Sequence, residues 1–413
     1  MRAATGTFAL LARRRFGASV TGLAHEEKHV RDRTSEARAS HQRLAKRIAG
    51  WSAAIATGVL LCSPALGQTV RIDDQLARAV TLSGGDRGRI TEFVDQYRAE
   101  LLSDDRTDVA TARAALTDVL TKNRSVVSVA FRQGLAGELS DEVEQLVDAG
   151  DTWRKLVGLR LAADLATESN VRLVDRAIDD ADTSVRFFAM FASETVFDTV
   201  SVSSPAVTER TLGRLLERVG TVLAETDDAR LADAAVRSIG AAIGVPASRI
   251  EGLSARGVSV LASSSAKLAL ATDTNDASDE SVLPLVRAGL ILRDFVAVNA
   301  DLPAESSRET VGYGGDLVAF VSKRVNQANA DDSVPSGFDI QLVGIGASLV
   351  FFGEQKRAGT LRQAPCIGQV ELVEPLEARD FAKFRVEAQR LIGESGVLVN
   401  CQGLGFDPLR FDR

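Results

Sequence analysis

The chain has 413 residues, of which 25% are charged and only 3 are histidine. Residues 1–67 hold all three histidines, 11 of the 49 Lys/Arg and 4 of the 56 Asp/Glu, leaving 38 basic and 52 acidic residues and a net charge near −14. Without those residues the protein has no imidazole, which excludes Ser-His-Asp and Cys-His catalysis and His-ligated zinc. The negative charge and the scarcity of Trp and Tyr argue against nucleic-acid or anionic-membrane partners.

Residues 43–67 have the three-part layout of a secretory signal peptide. The basic segment 43–47 precedes an apolar run from Ile48 to Cys62, and small residues lead up to Gly67. The run is shorter than the roughly 20 residues of a membrane-spanning helix, so we predict cleavage near Gly67 rather than a retained anchor. The mature protein is then periplasmic or secreted and has no membrane span.

Residues 1–42 lengthen the segment before this signal far beyond the usual size. They are rich in Arg, Ala and Ser, and we predict a disordered N-terminal extension. A start codon other than Met is an alternative, because no Met occurs between Met1 and Met190. A transit peptide fits the composition but not the sharper signal pattern that follows, and a lipoprotein anchor at Cys62 is disfavoured by the bulky Leu61.

From residue 68 to residue 245, apolar residues recur at helical spacing between turns rich in Asp, Gly, Ser and Thr. These apolar stripes predict helices, and turns near residues 124, 150, 181 and 227 divide the helices into pairs. Successive turns are about 26 to 46 residues apart, a range that brackets the length of helical repeats. Short amphipathic helices of this kind need neighbours to cover them. The pattern therefore predicts an all-α fold. The stripes are 112–120 with 129–135, 143–147 with 153–165, 171–178 with 188–196, and 212–223 with 231–242.

The stretch from Val171 to Val196 resembles the HEAT-repeat family. Its turn places Asp182 before a helix that opens with Val185 and Arg186, as the family's turn does. The resemblance extends over about residues 110–244. It implies an α-solenoid of antiparallel helix pairs of the HEAT/armadillo type, and a non-repetitive helical bundle is the alternative.

In that family such Asp and Arg side chains bond between adjacent repeats. The resemblance therefore implies this structural role for Asp182 and Arg186. Asp151 and Arg154 form a looser match, with the spacing one residue short, and Ala229 replaces the Val at the turn that contains Asp228.

Residues 246–413 form a second, less regular region. Helical stripes continue at 258–270, 282–298 and 317–325, but the connectors are longer and acidic. We interpret Gly312 to Asp316 as loop glycines followed by an Asp at a helix start. Residues 338–352 are compatible with a buried helix or a strand pair, and residues 396–406 with an extended segment.

Two cysteines, Cys366 and Cys401, follow the signal segment. An even number of cysteines in an exported protein favours disulfide formation, because the compartment outside the cytosol oxidises thiols. We predict a disulfide between them, closing a loop of about 36 residues and stabilising the fold by about 3–4 kcal/mol through loop entropy. Two separate thiols are the alternative, because sequence spacing does not give the Cα distance that a disulfide needs.

The sequence predicts no cofactor and no metal site. The acidic clusters lack the alternating oxygen ligands and central Gly of a calcium loop. Gly344 and Gly346 lack the third glycine of a dinucleotide loop, where Leu349 stands instead.

We therefore predict a non-catalytic scaffold of the periplasm or cell envelope, which binds another protein or peptide on a helical-repeat surface. The alternative is a carboxylate-dependent envelope hydrolase or a pseudo-enzyme subunit, since hydrolysis of this kind needs only two placed carboxylates. A buried pair of acids in one pocket would favour the enzyme, and a broad groove without one would favour the scaffold.

N-terminal sequencing of the native protein tests the export prediction. We expect the mature chain to begin at Gln68, because signal peptidase cleaves after small residues such as Gly67. A cytosolic product that begins at residue 1 would contradict the prediction and would return three histidines to the working protein.

Overall fold

The computed structural model describes residues 70–274, 278–299, 302–327 and 334–412. The chain divides into Met1–Gln68 and Thr69–Arg413, and every described residue belongs to the second unit. The predicted extension and signal peptide lie outside the described residues. Within them every regular element is helical, which confirms the all-α prediction. The β pairing described is an isolated bridge between Thr167 and Ala206.

The helices follow one another with short connections. Those of the predicted repeat region are α1 Asp74–Ala77, α2 Gly84–Leu101, α3 Arg106–Lys122, α4 Val129–Glu138, α5 Ser140–Val147, α6 Thr152–Leu165, α7 Glu168–Ala177, α8 Thr183–Val202, α9 Glu209–Glu225 and α10 Ala229–Ile243. Those of the C-terminal region are α11 Leu253–Ala271, α12 Asp279–Val298, α13 Ala304–Gln327, α14 Gly337–Leu361, α15 Val373–Glu377, α16 Phe381–Ile392 and α17 Val397–Asn400, with a 3₁₀ turn at Pro408–Arg410.

Polar turn residues start these helices by accepting hydrogen bonds from free backbone N–H groups. The Asp182 carboxylate accepts from the Ser184 N–H at 2.8 Å at the start of α8. Asp228 does the same for α10. Ser336 and Asp339 form a reciprocal capping box at the start of α14. The Asp- and Ser-rich turns seen in the sequence therefore act as helix N-caps.

Most helices pack against the helix two positions further along the chain. One row runs α6, α8, α10, α12 and α14, and α3 packs against its first member. A second row runs α7, α9, α11 and α13. Sequential helices such as α9 and α10 also contact each other across the rows. The apolar side chains between the rows form one continuous core, from Leu76 to Phe411.

The buried guanidinium of Arg132 fastens α4 to the end of α6. Its Nη1 donates to the carbonyl oxygens of Asp164 at 2.8 Å and Leu165 at 3.1 Å, which lie at the helix C-terminus. A cation is favourable there because the helix dipole is negative at that end. Burial lowers the pKa of Arg132 to about 10, so the side chain stays charged at neutral pH.

The interpretation of Gly312 to Asp316 as a loop is wrong, because these residues lie in the middle of α13 and are buried. A Cβ at Gly314 would come within 2.7 Å of the Gly346 carbonyl oxygen on α14, and a Cβ at Gly346 would come equally close to the Gly314 carbonyl oxygen. The glycines therefore let two helix backbones approach closely. Residues 338–352, for which the sequence allowed a buried helix or a strand pair, form part of the helix α14 that packs in this contact.

The C-terminal segment is also not extended where extension was considered. Residues 396–406 form α17 and a series of turns. The segment folds this way because it packs on α13. Leu398 and Phe411 lie against Gly315. Arg410 donates to the buried carboxylate of Asp316 at 2.6 and 3.0 Å. Burial raises the pKa of Asp316, and Arg410 opposes that shift.

Among the described helices, α14 is long and apolar enough to cross a membrane by length and composition alone. Half of its most apolar window is buried inside the protein, and the helix packs against α12, α13 and α15. It also buries the charged residues Asp339, Glu354 and Arg357. The helix is therefore packed against other helices of the protein and carries buried charges.

Substitution of Gly346 by Ala tests the close approach of α13 and α14. We expect Gly346→Ala to destabilise the protein by about 1–3 kcal/mol, because the new methyl group overlaps a backbone oxygen that cannot move away easily. The free energy of unfolding in urea measures the effect.

Gly359→Ala on the same helix is the matched control. Nothing lies within 4 Å of a Cβ at this exposed position, so the change should be neutral or stabilising by up to about 1 kcal/mol. Equal losses in the two variants would contradict the close-packing account.

Candidate protein-binding surface

Asp182 links two successive helices of the first row. Besides capping α8, its carboxylate accepts a hydrogen bond from the Thr152 hydroxyl at the start of α6. The Arg186 side chain makes no hydrogen bond or ion pair with any described residue, in contrast to the role that the resemblance implies. Lys155 makes the corresponding link, to Asp180 at 2.6 Å. The turn therefore joins adjacent helix pairs through a lysine on α6.

Asp151 and Arg154 also act at a junction between helix pairs. Asp151 caps α6 by accepting from the Arg154 N–H at 2.9 Å. The Arg154 guanidinium reaches back to the turn between α2 and α3, where it donates to the Asp104 carboxylate and, at 3.3 Å, to the Ser103 carbonyl oxygen. Arg154 thus makes the link between helix pairs that the resemblance implied for Arg186.

Further ion pairs join helices two apart, and the sequence analysis missed them. Three of them link residues 39 positions apart: Asp175 with Arg214, Asp179 with Arg218, and Glu217 with Arg256. Exposed pairs of this kind each contribute less than about 1 kcal/mol, so they align neighbouring helices more than they hold them together. The constant spacing of opposite charges was the sequence signal that could have revealed them.

Three helices of the first row present a continuous polar and aromatic surface, here named the α8–α12 surface. On α8 its residues follow one helical face at steps of four, three and four positions. The surface consists of Phe187, Phe191, Glu194 and Asp198 on α8, Asp233 and Arg237 on α10, and Arg287 on α12.

Aromatic and charged contacts join the three helices at this surface. The Arg237 guanidinium lies over the Phe191 ring at 4.4 Å, which is a cation–π contact between α10 and α8. Phe187 packs edge-on against Phe191 with ring centroids 5.0 Å apart. Arg287 on α12 pairs with Asp233 on α10 at 2.6 Å. The surface is therefore built on fixed helices and not on loops.

Glu194 and Asp198 differ from the other charges of this surface because neither makes an ion pair or a side-chain hydrogen bond with a described residue. Loss of water contact raises the pKa of both carboxyl groups. For Glu194 the nearby Arg237 opposes the shift and the charge of Asp198 adds to it, while Arg124 opposes the shift of Asp198. Two unpaired anions thus lie one helical turn apart, of which Glu194 is half-buried and Asp198 is exposed.

Two larger cavities lie elsewhere in the described part of the chain. One, of about 380 Å³, is bordered by the turns after α9 and α11 and includes the exposed side chains of Glu225, Asp227 and Asp273. The other, of about 390 Å³, lies beside the C-terminal disulfide and includes Cys366, Lys383 and Arg390. The carboxylates in the first cavity are solvated, so they do not form a buried acid pair.

The predicted pair of cysteines lies next to that second cavity. Cys366 and Cys401 are joined by a disulfide with their Cα atoms 6.0 Å apart. Cys366 is exposed, whereas Cys401 is 6% exposed. The sequence placed these residues as partners, but it gave no indication that the fully buried Glu354 would lie beside them.

No protein-family model matches the chain, and comparison with curated proteins and with solved structures finds no match.

Replacement of the two unpaired carboxylates tests whether they oppose folding. Because the pKa of each carboxyl group is raised in the folded state, the protonated group stabilises the fold at pH values below the ordinary carboxyl pKa. This stabilisation is lost as the pH rises through the pKa of the folded state. We therefore expect Glu194→Gln/Asp198→Asn to melt at a higher temperature than the unchanged protein at pH 7.

The gain should vanish near pH 3, where both carboxyl groups are protonated in either state. Calorimetry at the two pH values measures it. A lower melting temperature for the variant at pH 7 would show that these carboxylates stabilise the free protein and would contradict the description of the surface.

Proposed function

We propose that this protein is an exported, non-catalytic scaffold with a HEAT-like α-solenoid of antiparallel helix pairs, whose α8–α12 surface binds a cationic segment of another protein. Helices that pack two positions apart in two rows support the solenoid. So does the 39-residue spacing of the ion pairs Asp179–Arg218 and Glu217–Arg256, which falls near the HEAT repeat length.

The observation that carries the binding proposal is the pair of unpaired carboxylates, Glu194 and Asp198. Elsewhere on the row, carboxylates such as Asp233 and Asp180 have a cationic partner within 2.6 Å. Partly desolvated anions without partners cost free energy in the free protein. Binding of a lysine or arginine side chain would offset that cost, because the cation supplies the missing charge and hydrogen-bond donors.

The neighbouring aromatic rings favour the same kind of ligand. Phe191 and Phe187 offer apolar and π surface one and two turns from Glu194, and aromatic faces attract both guanidinium groups and alkyl stems. A peptide segment that alternates basic and apolar residues fits this combination. The net negative charge of the chain after residue 67 steers such a segment toward the protein.

The alternative of a carboxylate-dependent hydrolase requires a buried pair of acids in one cavity. The carboxylates of Glu225, Asp227 and Asp273 at the first cavity are exposed, and Glu194 and Asp198 lie on the open α8–α12 surface. These observations favour the scaffold over the enzyme.

Site-specific photo-cross-linking in the native host tests the proposal. A photo-reactive amino acid at Phe187 should capture one protein reproducibly, through a peptide that contains Lys or Arg, because the α8–α12 surface is the proposed contact. Mass spectrometry identifies the cross-linked peptide. The same amino acid at Glu100, on α2, should not capture that protein.

Charge reversal separates the surface from general charge effects. Glu194→Lys/Asp198→Lys should lower capture at least about tenfold, the effect of about 1.4 kcal/mol of lost binding free energy. Glu92→Lys/Glu100→Lys changes the net charge equally at exposed, unpaired positions on α2 and should leave capture unchanged. If both double variants bind alike, or if the captured peptide is acidic, the proposal fails.

A further inference from the structure

A second site stands apart from the α8–α12 surface, where the disulfide meets a buried charged pair on α14. Glu354 and Arg357 are 0% and 2% exposed, and the guanidinium donates to the carboxylate at 2.7 and 2.9 Å. The Oε1 atom of Glu354 also lies 3.2 Å from Sγ of Cys366 and 3.9 Å from Sγ of Cys401. One buried carboxylate oxygen therefore faces both sulfur atoms.

With the disulfide formed, Glu354 accepts from Arg357 and from the Cys366 backbone N–H at 3.2 Å, so the carboxylate is fixed beside the sulfur atoms in this state. If the sulfur atoms become thiols, the same oxygen can accept their protons in hydrogen bonds. A disulfide has no proton to donate to Glu354, whereas two thiols do. Arg357 balances the carboxylate charge, so a thiolate that approaches the sulfurs is not repelled by a lone anion.

Access to the two sulfurs is unequal. Cys366 is exposed and borders the cavity of about 390 Å³, together with Lys383 and Arg390. Cys401 is buried behind it. Thiol–disulfide exchange requires one sulfur that an incoming thiolate can reach and a second that leaves, and this arrangement supplies both.

The geometry points to a thiol–disulfide exchange site, in which Cys366 is the sulfur attacked, Cys401 is the leaving sulfur, Glu354 receives the hydrogen bond of the Cys401 thiol, and the reactant is a thiol of peptide size. The cavity is large enough for such a molecule, and its lining carries the basic residues Lys383 and Arg390 and the acidic residues Glu371 and Glu387, which suit a thiol that bears both a carboxylate and an amino group.

The exchange proceeds in two balanced steps. A reactant thiol ionises, and its thiolate attacks Sγ of Cys366 and forms a mixed disulfide. The bond to Cys401 breaks, and its electron pair stays on Sγ of Cys401, which takes up the proton that the reactant thiol released and donates it in a hydrogen bond to Glu354. A second thiolate attacks the reactant's sulfur, releases Cys366 as a thiolate that is then protonated, and leaves as part of a small disulfide. Two thiols are oxidised and the protein disulfide is reduced. In the reverse direction Glu354 accepts the Cys401 proton as that sulfur attacks.

Single-cysteine variants test which sulfur reacts. With oxidised glutathione as the probe, Cys401→Ser should form a mixed disulfide at Cys366, and mass spectrometry reports one added glutathionyl group. Cys366→Ser should react at least about a hundredfold more slowly while folded, because Cys401 is buried, and should react readily once unfolded. Equal rates for the two folded variants, or an unreactive Cys366, would overturn the proposal.

The role of Glu354 needs a separate measurement. We expect Glu354→Gln to slow reoxidation of the reduced protein by oxidised glutathione about tenfold or more, since the Cys401 thiol loses its proton acceptor. Glu354→Asp, which keeps the carboxylate, should restore part of the rate.

Asp339→Asn is the matched control, because Asp339 lies on α14, 15 residues before Glu354, and the change breaks its buried ion pair with Arg324 of α13. It should lower stability without slowing the exchange. If Glu354→Gln reoxidises at the rate of the unchanged protein, or only as slowly as Asp339→Asn, Glu354 has no part in the exchange. If Glu354→Gln does not fold, the single-cysteine comparison still decides the identity of the attacked sulfur.

Discussion

The structure depends on one constraint: each helix carries apolar residues on more than one side, and the helix two positions along the chain has to cover one of those sides. α8 lies between α6 and α10, and α10 between α8 and α12. This arrangement buries apolar area at each step along the chain. It also leaves each row with an open side, and on the first row that side carries the α8–α12 surface. The binding proposal therefore follows from the way the core is built.

The helices between residues 110 and 245 could be predicted from the sequence, because their signals are local. Apolar residues at steps of three and four identify α6 to α10, and capping residues such as Asp182 mark where helices begin. The beginning of α13 and the role of Gly314 could not be predicted in the same way. A glycine in a close helix contact and a glycine in a loop look alike until the partner helix, here α14 with Gly346, is known. That information is not local.

The same distinction applies to the two proposed sites. Asp182, Asp151 and Arg154 were found because the turn has a recognisable pattern, whereas the ion pairs 39 residues apart depend on how neighbouring pairs align. Glu194 and Asp198 look like ordinary acids in the sequence, and only the packing of the neighbouring helices half-buries Glu194 and raises the pKa of both carboxyl groups. Likewise, the pairing of Cys366 with Cys401 was predictable from number and compartment, but the buried Glu354 beside them was not.

The carboxylates of both sites, Glu194 with Asp198 and Glu354, lie on helices, which hold them in place for a ligand. The most direct test of the central claim is amide hydrogen–deuterium exchange on the purified protein, with and without a ten-residue lysine-rich peptide as the probe. The account predicts slower exchange on α8, α10 and α12 when the peptide is bound, because these helices carry the α8–α12 surface. Slower exchange confined to α2, α9 or α16, or no change anywhere, would contradict it.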